Sequence, residues 1–461
     1  MAAACASTAN VTVIIPVRDC EPYLEQCLDS VLEQTLPPQR VICVDDGSTD
    51  GSVDLLERYE SAHDCVEIVR LSGVGPGVAR NAGIERANSE YILFVDADDF
   101  IEPELLERAY ARAKETDADM VVWDVWFYND RFHHRQYPNE GTFYFGKLDN
   151  GTAFSWRANP DWLFLAFQSW AWNKLFRTSF LKQEGIRFDE TVARSEDVPF
   201  TCTALAAAKR IACVYDRLSN YRVARPNSAM ATKDAYPLDF FKAFEHLKEE
   251  LEHRGVYEAL RTAFVSFAFP SCLYNLHTMK SSEAMERVYC FLKDEGFERL
   301  TIDAHDAEAW VDAASREELA RIEHMDFEDY VFYRARRLHA ALDDAVAAGD
   351  HVAMDLRNDI AQRDGAIMRL ESQIDQKDDA IAQLDEDIAA LREVLEQRDR
   401  TILERERVIE EKESFIAELL GCAEWKVGSA LCAAPRAVQR RILARKARQE
   451  CEDSDAGASE E

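Results

Sequence analysis

The chain has 461 residues and a formal net charge of −32, with 47% hydrophobic and 10% aromatic residues. This length exceeds what one compact core usually holds and predicts about two to three folded units. The excess of acidic residues argues against a nucleic acid as the partner, because a phosphate backbone would be repelled. A diphosphate ligand would need a metal ion or a few arginines close to it.

The twelve cysteines are scattered singly, and no C-x-x-C pair indicates a zinc or redox motif. Thiols in apolar runs, such as Cys43, fit a reduced, cytoplasmic setting. Residues 1–10 lack the basic and apolar regions of a signal peptide and are expected to be disordered. No run of 18 apolar residues predicts a membrane span.

Residues 11–130 alternate between short apolar runs and amphipathic stretches. Strands are predicted over residues 11–15, 41–44, 66–71, 91–95 and 120–127. Helices are predicted near residues 22–35, 52–62, 77–88 and 103–115. This alternation predicts an α/β fold in which a Rossmann-like, parallel or mixed sheet has flanking helices, with its ligand site at the carboxyl ends of the strands.

The rest of the chain divides by composition. Residues 131–235 are rich in aromatic residues, and residues 236–345 have the pattern of helices without a chemical motif. Within residues 351–420 an apolar residue recurs every seventh position at Ile360, Ile367, Ile374, Ile381, Ile388, Leu395, Ile402, Ile409 and Ile416. Nine such heptads predict a coiled coil, and isoleucine at position a with leucine at position d favours a parallel homodimer.

The C-terminal region has further features that bear on its stability and contacts. Five of the nine d positions carry a basic residue, namely Arg363, Lys377, Arg398, Arg405 and Lys412, so the coiled coil is expected to be only moderately stable. Residues 421–449 are basic and amphipathic, which fits either peripheral contact with an anionic membrane surface or a solvated helical tail. The acidic residues 450–461 are expected to be disordered.

Asp96 and Asp98 stand one residue apart after the strand predicted over residues 91–95. Two carboxylates at this spacing can bind one divalent cation, and oxygen ligands suit Mn²⁺ or Mg²⁺. Aspartates are also common at turns and helix N-caps. The D-x-D pattern alone therefore leaves a metal site and a structural cap open.

Six segments occur in one order along the chain: VIIPVRD, VDDGSTDGS, GVARNAGIERANSEYILFVDADD, WNKLF, IRFDE and SEDVPF. Together they resemble the family 2 glycosyltransferases, which have the GT-A fold and transfer a sugar from a nucleotide-diphosphate sugar. The resemblance covers about half of the chain. It implies a nucleotide-sugar-binding half over residues 11–130 and an acceptor-binding half over residues 131–235.

The resemblance also implies donor-binding roles. The backbone at Pro16 and Val17, with the side chains of Asp19 and Asp46, would hold the base and ribose. Arg80 would neutralise the diphosphate, Asp96 would lie near the sugar, and Asp98 would be the principal metal ligand. The remaining candidates are Asp45, which could equally cap a turn, and Arg222 as a phosphate contact.

On the acceptor side, the resemblance implies that Asp197 is the general base and that Glu196 helps to orient the acceptor. The same two acids also fit a helix N-terminus, where they complement the dipole. Trp172, Asn173 and Lys174 resemble the acceptor-binding segment, although a core role fits the tryptophan equally well. The sequence departs from relatives with a further histidine ligand near Ser228, so how the metal shell is completed stays open.

These observations predict an inverting, metal-dependent glycosyltransferase of polysaccharide or cell-surface glycan synthesis. The resemblance favours a UDP-linked donor and a glycan or lipid-linked acceptor in a bacterial cell. The expected location is the cytoplasm, with peripheral contact at the inner face of the cell membrane as one reading of residues 421–449. The sequence PVRD after the first strand disfavours a sugar nucleotidyltransferase, which would need a glycine-rich loop there. A non-catalytic coiled-coil scaffold with a degenerate glycosyltransferase domain is the alternative.

Overall fold

The computed structural model divides into two compact units, Met1–His339 and Ala340–Glu461. The first unit is a mixed β-sheet with helices on both faces. The residues that the structure describes are 8–136, 144–148, 151–223, 233–344, 383–384, 388–389, 391–392, 396–414 and 418.

The first unit contains a nine-stranded sheet. Its strands are β1 Ala9–Val17, β2 Pro38–Asp45, β3 Val66–Arg70, β4 Tyr91–Phe94, β5 Phe100–Ile101, β6 Met120–Asn129, β7 His134–Gln136, β8 Lys174–Arg177 and β9 Ile211–Val223. They lie in the order β3-β2-β1-β4-β8-β6-β9-β5, with β7 paired to β6. The first four in this order are parallel, whereas β8 runs antiparallel to both β4 and β6. The prediction of an α/β fold with a mixed sheet is confirmed.

Helices surround this sheet and extend beyond it. They are α1 Glu21–Leu32, α2 Ser52–Ala62, α3 Pro76–Arg86, α4 Leu105–Thr116, α5 Leu163–Phe167, α6 Thr178–Gln183, α7 Asp197–Ala207, α8 Asp239–His253, α9 Tyr257–His277, α10 Ser282–Phe291 and α11 Ala313–His324. A further helix covers residues 327–344. The four helices predicted within residues 22–115 correspond to α1 through α4, with ends that differ by a few residues.

The two faces of the sheet carry separate hydrophobic clusters. Along β1, Val13 and Ile15 belong to the cluster under α1, α2 and α4, whereas Ile14 belongs to the cluster under α3 and α7. This alternation follows from the two-residue period of a strand. The second cluster continues to Phe244 of α8 and Phe264 of α9. The helical region predicted over residues 236–345 therefore shares a core with the sheet.

Helix α3 lies close both to β1 and to the segment after α6, and one glycine permits each approach. A Cβ atom on Gly83 would stand 2.4 Å from the Cγ2 of Ile14, and one on Gly77 would stand 2.8 Å from the carbonyl oxygen of Asp189. Any larger residue would push the helix away. The close packing holds α3, with Arg80 on it, against the carboxyl ends of the strands.

The second unit is described only in part. Residues 396–414 are helical, and the apolar residues of positions a and d that the structure describes are exposed, including Leu384, Ile388, Leu391, Ile402 and Ile409. The coiled coil over 351–420 stays a prediction, because most of it lies outside the described residues, as do segments 421–449 and 450–461. Within the described chain, no helix is both long and apolar enough to cross a membrane.

Candidate active site

The loops that leave β1 and β2 are joined by reciprocal hydrogen bonds. Asp19, in a left-handed conformation (φ 49°), accepts through Oδ1 from the backbone N–H of Thr49 at 2.6 Å. Glu21 donates its backbone N–H to Asp50 and accepts in return from the N–H of Gly51. The polar residues of VDDGSTDGS thus satisfy backbone groups that would otherwise be unpaired in two adjacent loops.

The paired acids at the end of β2 are both buried. Asp45 accepts from the N–H of Ser48 at 3.2 Å, so it caps the turn that follows. Asp46 accepts from the N–H groups of Val74 and Gly75 at 2.7 and 2.8 Å. Asp46 therefore fixes the loop that leads into α3. Beside these acids, Pro16 and Val17 end β1 and pair with the last residues of β2.

Three carboxylates gather after β4. One oxygen from each of Asp96, Asp98 and Asp99 lies within 4.8 Å of the other two. This all-oxygen set fits a divalent cation such as Mg²⁺ or Mn²⁺. No role was assigned to Asp99 from the sequence, although its position as the third acid of VDADD was a usable signal. Its Oδ1 also accepts from the backbone N–H of Arg222 at 2.7 Å.

Arg80 links this acid cluster to the start of α7. Its Nη2 donates to Asp96 Oδ1 and its Nη1 donates to Glu196 Oε1, both at 2.7 Å. The guanidinium is buried and lies over the ring of Phe188. Burial works against the charged form, but the carboxylates of Asp96 and Glu196 prevail and raise the pKa of Arg80. Arg80 therefore places a fixed positive charge between the two groups of acids.

Asp197 begins α7, directly after Glu196 and two residues after Ser195, which has a left-handed conformation (φ 63°). Burial, and next the adjacent carboxylate of Glu196, raise the pKa of Asp197 to about 7. The residues from Val198 to Ala206 are all buried, so α7 is a rigid support. The arrangement gives a carboxylate that can exchange a proton near neutral pH.

The acceptor-side candidates occupy different environments from those expected. Lys174 is fully buried and donates through Nζ to the carbonyl oxygens of Phe167 and Trp170 and to Asn173 Oδ1, at 2.7 to 2.9 Å. Asn173 in turn donates to the carbonyl oxygen of Trp123. The side chains of Asn173 and Lys174 thus hold the loop before β8 together and do not face solvent.

Trp172 belongs to a group of nearly parallel rings. Its centroid lies 4.9 Å from that of Trp170 and 5.3 Å from that of Tyr221, with interplanar angles of 12° and 8°. Trp172 is buried. The sequence left two roles open for Trp172, acceptor binding and core packing, and its surroundings are those of a core residue.

Arg222 was expected to contact a phosphate, but it is a buried support of the D-x-D loop. Its Nε donates to the carbonyl oxygen of Asp98 at 2.8 Å, and its Nη2 donates to Gln26 at 2.7 Å. It also forms an ion pair with Asp130. Each of the three guanidinium nitrogens thus donates to an oxygen atom of the protein itself. The loop that follows, including Ser228, lies outside the described residues.

Comparisons with known proteins relate this chain to glycosyltransferases. Residues 12–183 match glycosyl transferase family 2. The chain is also similar to two curated relatives over stretches longer than this region. A poly(ribitol-phosphate) beta-glucosyltransferase of Bacillus spizizenii is 32% identical over 54% of this chain and 38% of its own length. The poly(ribitol-phosphate) beta-N-acetylglucosaminyltransferase TarS of Staphylococcus aureus is 26% identical over 66% of this chain.

A solved structure extends the likeness to the fold. The crystal structure of S. aureus TarS 1-349 in complex with UDP-GlcNAc superposes with a TM-score of 0.52 at 22% identity, over 68% of this chain and 90% of that chain. The fold around the family 2 region is therefore GT-A-like, with further helices after it. The chain spans 38% and 48% of the lengths of the two curated relatives.

Proposed function

We propose that this protein is a glycosyltransferase that transfers a sugar from a nucleotide-diphosphate sugar to a hydroxyl group of a glycan. One observation carries the proposal. The acids after β4 and the acids at the start of α7, about a hundred residues apart in sequence, meet through the two hydrogen bonds of Arg80. This brings together a candidate cation site for a diphosphate and a candidate base for an acceptor.

The activities for which the relatives are named support the choice of substrates. Two of them act on poly(ribitol phosphate), and the TarS fragment was solved with UDP-GlcNAc. A UDP-linked donor and an acceptor in cell-wall or cell-surface glycan synthesis are accordingly proposed for this chain. The base and ribose would lie at the ends of β1 and β2, beside Asp19 and Asp46. The buried Nε of Arg80 has no hydrogen-bond partner among the described residues.

The cation would be Mn²⁺ or Mg²⁺, held by Asp98 and Asp96 with Asp99 beside them. Bound there, it would supply positive charge that stabilises the departing nucleoside diphosphate. The three carboxylates fit this task because they provide oxygen atoms alone and carry the negative charge that retains the ion.

Asp197 would act as the general base. Its carboxylate would accept the proton of the acceptor hydroxyl as that oxygen forms a bond to the anomeric carbon and the bond to the diphosphate breaks. A single displacement of this kind inverts the anomeric configuration. Burial, and next the adjacent carboxylate of Glu196 that Arg80 holds in place, would keep the pKa of Asp197 raised toward neutrality.

Thermal unfolding tests the donor site without knowledge of the acceptor. UDP with MnCl₂ should raise the Tm of the protein by about 2–5 °C, because a ligand that binds only the folded state stabilises it by mass action. ADP at the same concentration is the matched control and should have a smaller effect. If UDP and Mn²⁺ leave the Tm unchanged at millimolar concentrations, a nucleotide site at the strand ends is refuted.

The pH dependence of turnover follows from the raised pKa of Asp197. A general base must be deprotonated, so the pH at which half of the base is active should be near 7 rather than near 4. Turnover should fall about tenfold for each pH unit below this midpoint and level off above it. The measurement is kcat against pH at saturating UDP-sugar and MnCl₂. A rate that stays constant from about pH 5 to 8 would exclude Asp197 as the base.

The coiled coil is proposed to hold two copies of the chain together. The apolar residues at positions a and d that the structure describes are exposed in the single chain. This is expected if a second copy of the helix covers them in a dimer. Truncation at residue 350 should therefore give a monomer that still turns over the donor. Sedimentation equilibrium of both forms checks this. A monomeric full-length protein at micromolar concentration would contradict the dimer.

A further inference from the structure

The candidate base follows an irregular segment, residues 184–196, that connects α6 to α7. One side of this segment is attached to α3. The buried side chain of Asn81 accepts from the N–H of Phe188 and donates to its carbonyl oxygen, both at 2.9 Å. The bare Cα of Gly77 lets the carbonyl of Asp189 approach the same helix. This side of the segment is thus fixed by the family 2 region.

The other side of the segment is attached to α8. Asp239, which is buried, accepts through Oδ2 from the N–H of Ala193 at 3.0 Å. About two turns further along the same face, His246 Nδ1 is paired with Asp189 Oδ2. The other oxygen of Asp189 accepts from the N–H and hydroxyl of Thr191 at 2.8 and 2.7 Å. Two side chains of α8 therefore hold residues 189–193.

These attachments lie directly before the base. Only residues 194–196 separate Ala193 from Asp197, and Ser195 adopts a left-handed conformation (φ 63°) that its surroundings must impose. The N–H of Val198 closes this turn on the carbonyl oxygen of Ser195 at 3.1 Å. Helix α7 itself packs against α8. A shift of residues 189–193 would consequently be transmitted to the side chain of Asp197.

We propose that Asp239 and His246 of α8 are positioning residues, which fix segment 189–196 and so place Asp197 against Asp96 and Arg80. The inference rests on the role proposed above for Asp197. It assigns a task in the reaction to the helical region, which has no recognisable motif of its own. Asp197 and α8 both lie beyond the matched residues 12–183, so the chemistry would depend on parts of the chain outside that match.

Hydrogen exchange tests the structural part of this proposal. Asp239→Ala and His246→Ala should increase the exchange rates of the backbone amides of residues 189–196 at least about fivefold, since each removes one attachment of the segment. Glu249→Ala is the matched control, because Glu249 is an exposed residue of the same helix. Asp239→Asn keeps an oxygen that can accept from Ala193 and should restore slow exchange. Exchange in the two alanine variants equal to that of the control would overturn the proposal.

Turnover tests the positioning role. With UDP-GlcNAc and MnCl₂ as the probe, kcat for UDP release should fall at least about tenfold in Asp239→Ala and His246→Ala, because small displacements of a catalytic group are costly. The Kd for UDP should stay within about twofold of the original, and the Glu249→Ala variant should match the unmodified protein. A simple loss of stability would not separate kcat from UDP affinity in this way.

The outcomes separate this inference from the proposed function. If Asp197→Asn is inactive while both alanine variants keep the original kcat, α8 does not position the base and the inference fails alone. If Asp197→Asn transfers sugar at the original rate, the proposed base is wrong, and the inference falls with it. Faster exchange together with reduced kcat and unchanged UDP affinity supports the proposal.

Discussion

Replacing Asp197 with asparagine should reduce sugar transfer about a thousandfold while the affinity for the nucleotide donor changes less than about twofold. The amide cannot accept the acceptor proton, but it occupies the same volume at the start of α7. The donor is proposed to lie at the strand ends and the cation at Asp96 and Asp98, so the variant keeps both. Release of UDP and calorimetric titration with UDP and MnCl₂ measure the two effects separately.

Asp64→Asn is a suitable control for this experiment, because Asp64 is an exposed aspartate away from the site. It should leave both measurements unchanged. An Asp197→Asn protein that no longer binds UDP would contradict the mechanism, since it would place Asp197 in the nucleotide site. An Asp197→Asn protein with the original rate would remove it from the reaction altogether.

Replacing Asp98 with asparagine should reduce turnover at least about a hundredfold at fixed Mn²⁺, because a neutral amide loses the charge that holds the cation beside the diphosphate. The concentration of MnCl₂ required for half-maximal rate should rise in the same variant. Asp98→Glu keeps a carboxylate and should retain more of the activity. The measurement is the rate of UDP release as MnCl₂ is varied.

One result would contradict the proposed cation site at Asp98. If the purified Asp98→Asn protein turns over at the original rate without added metal, the D-x-D segment is a turn and not a cation site. The effect of Asp98→Asn can be assigned to the lost charge, because Arg222 binds the carbonyl oxygen of Asp98 and not its carboxylate. The substitution therefore removes charge without removing that support.

The sheet was predictable from sequence because each of its first strands is a short apolar run followed by polar turn residues. Strand β1 alternates between two buried faces, and the helices after it carry apolar residues at helical spacing. The antiparallel insertion of β8 between β4 and β6 was not predictable from local patterns. Strand pairing between distant segments depends on tertiary packing, which periodicity does not encode.

The site was predictable in part. Asp96 and Asp98 stood out as a pair of acids after a predicted strand, and Asp197 was indicated by the resemblance to family 2 glycosyltransferases. The structure links Asp96 to Glu196, the neighbour of Asp197, through Arg80. Lys174 and Arg222 illustrate the limit of this reasoning. A basic residue near a motif can serve a ligand or support the backbone, and only the partners of its donors distinguish the two. For both residues those donors bind oxygens of the protein.

The contacts of α8 were beyond sequence analysis for the same reason. Nothing near Asp239 or His246 in the chain indicates that they meet residues 193 and 189. Their spacing of seven residues places both on one face of a helix, which is also the common pattern of an ordinary packed helix. A role in catalysis can be inferred for this face of α8 only from the structure, which shows that the segment bound by Asp239 and His246 leads directly to Asp197.

The most direct test of the central claim is a survey of nucleotide sugars in MnCl₂, with release of the nucleoside diphosphate as the measured product. At least one UDP-sugar should be turned over, chelation of the metal should stop the reaction, and Asp197→Asn should not support it. Failure of the folded, full-length protein to bind or turn over any nucleotide sugar would contradict the proposed glycosyltransferase activity.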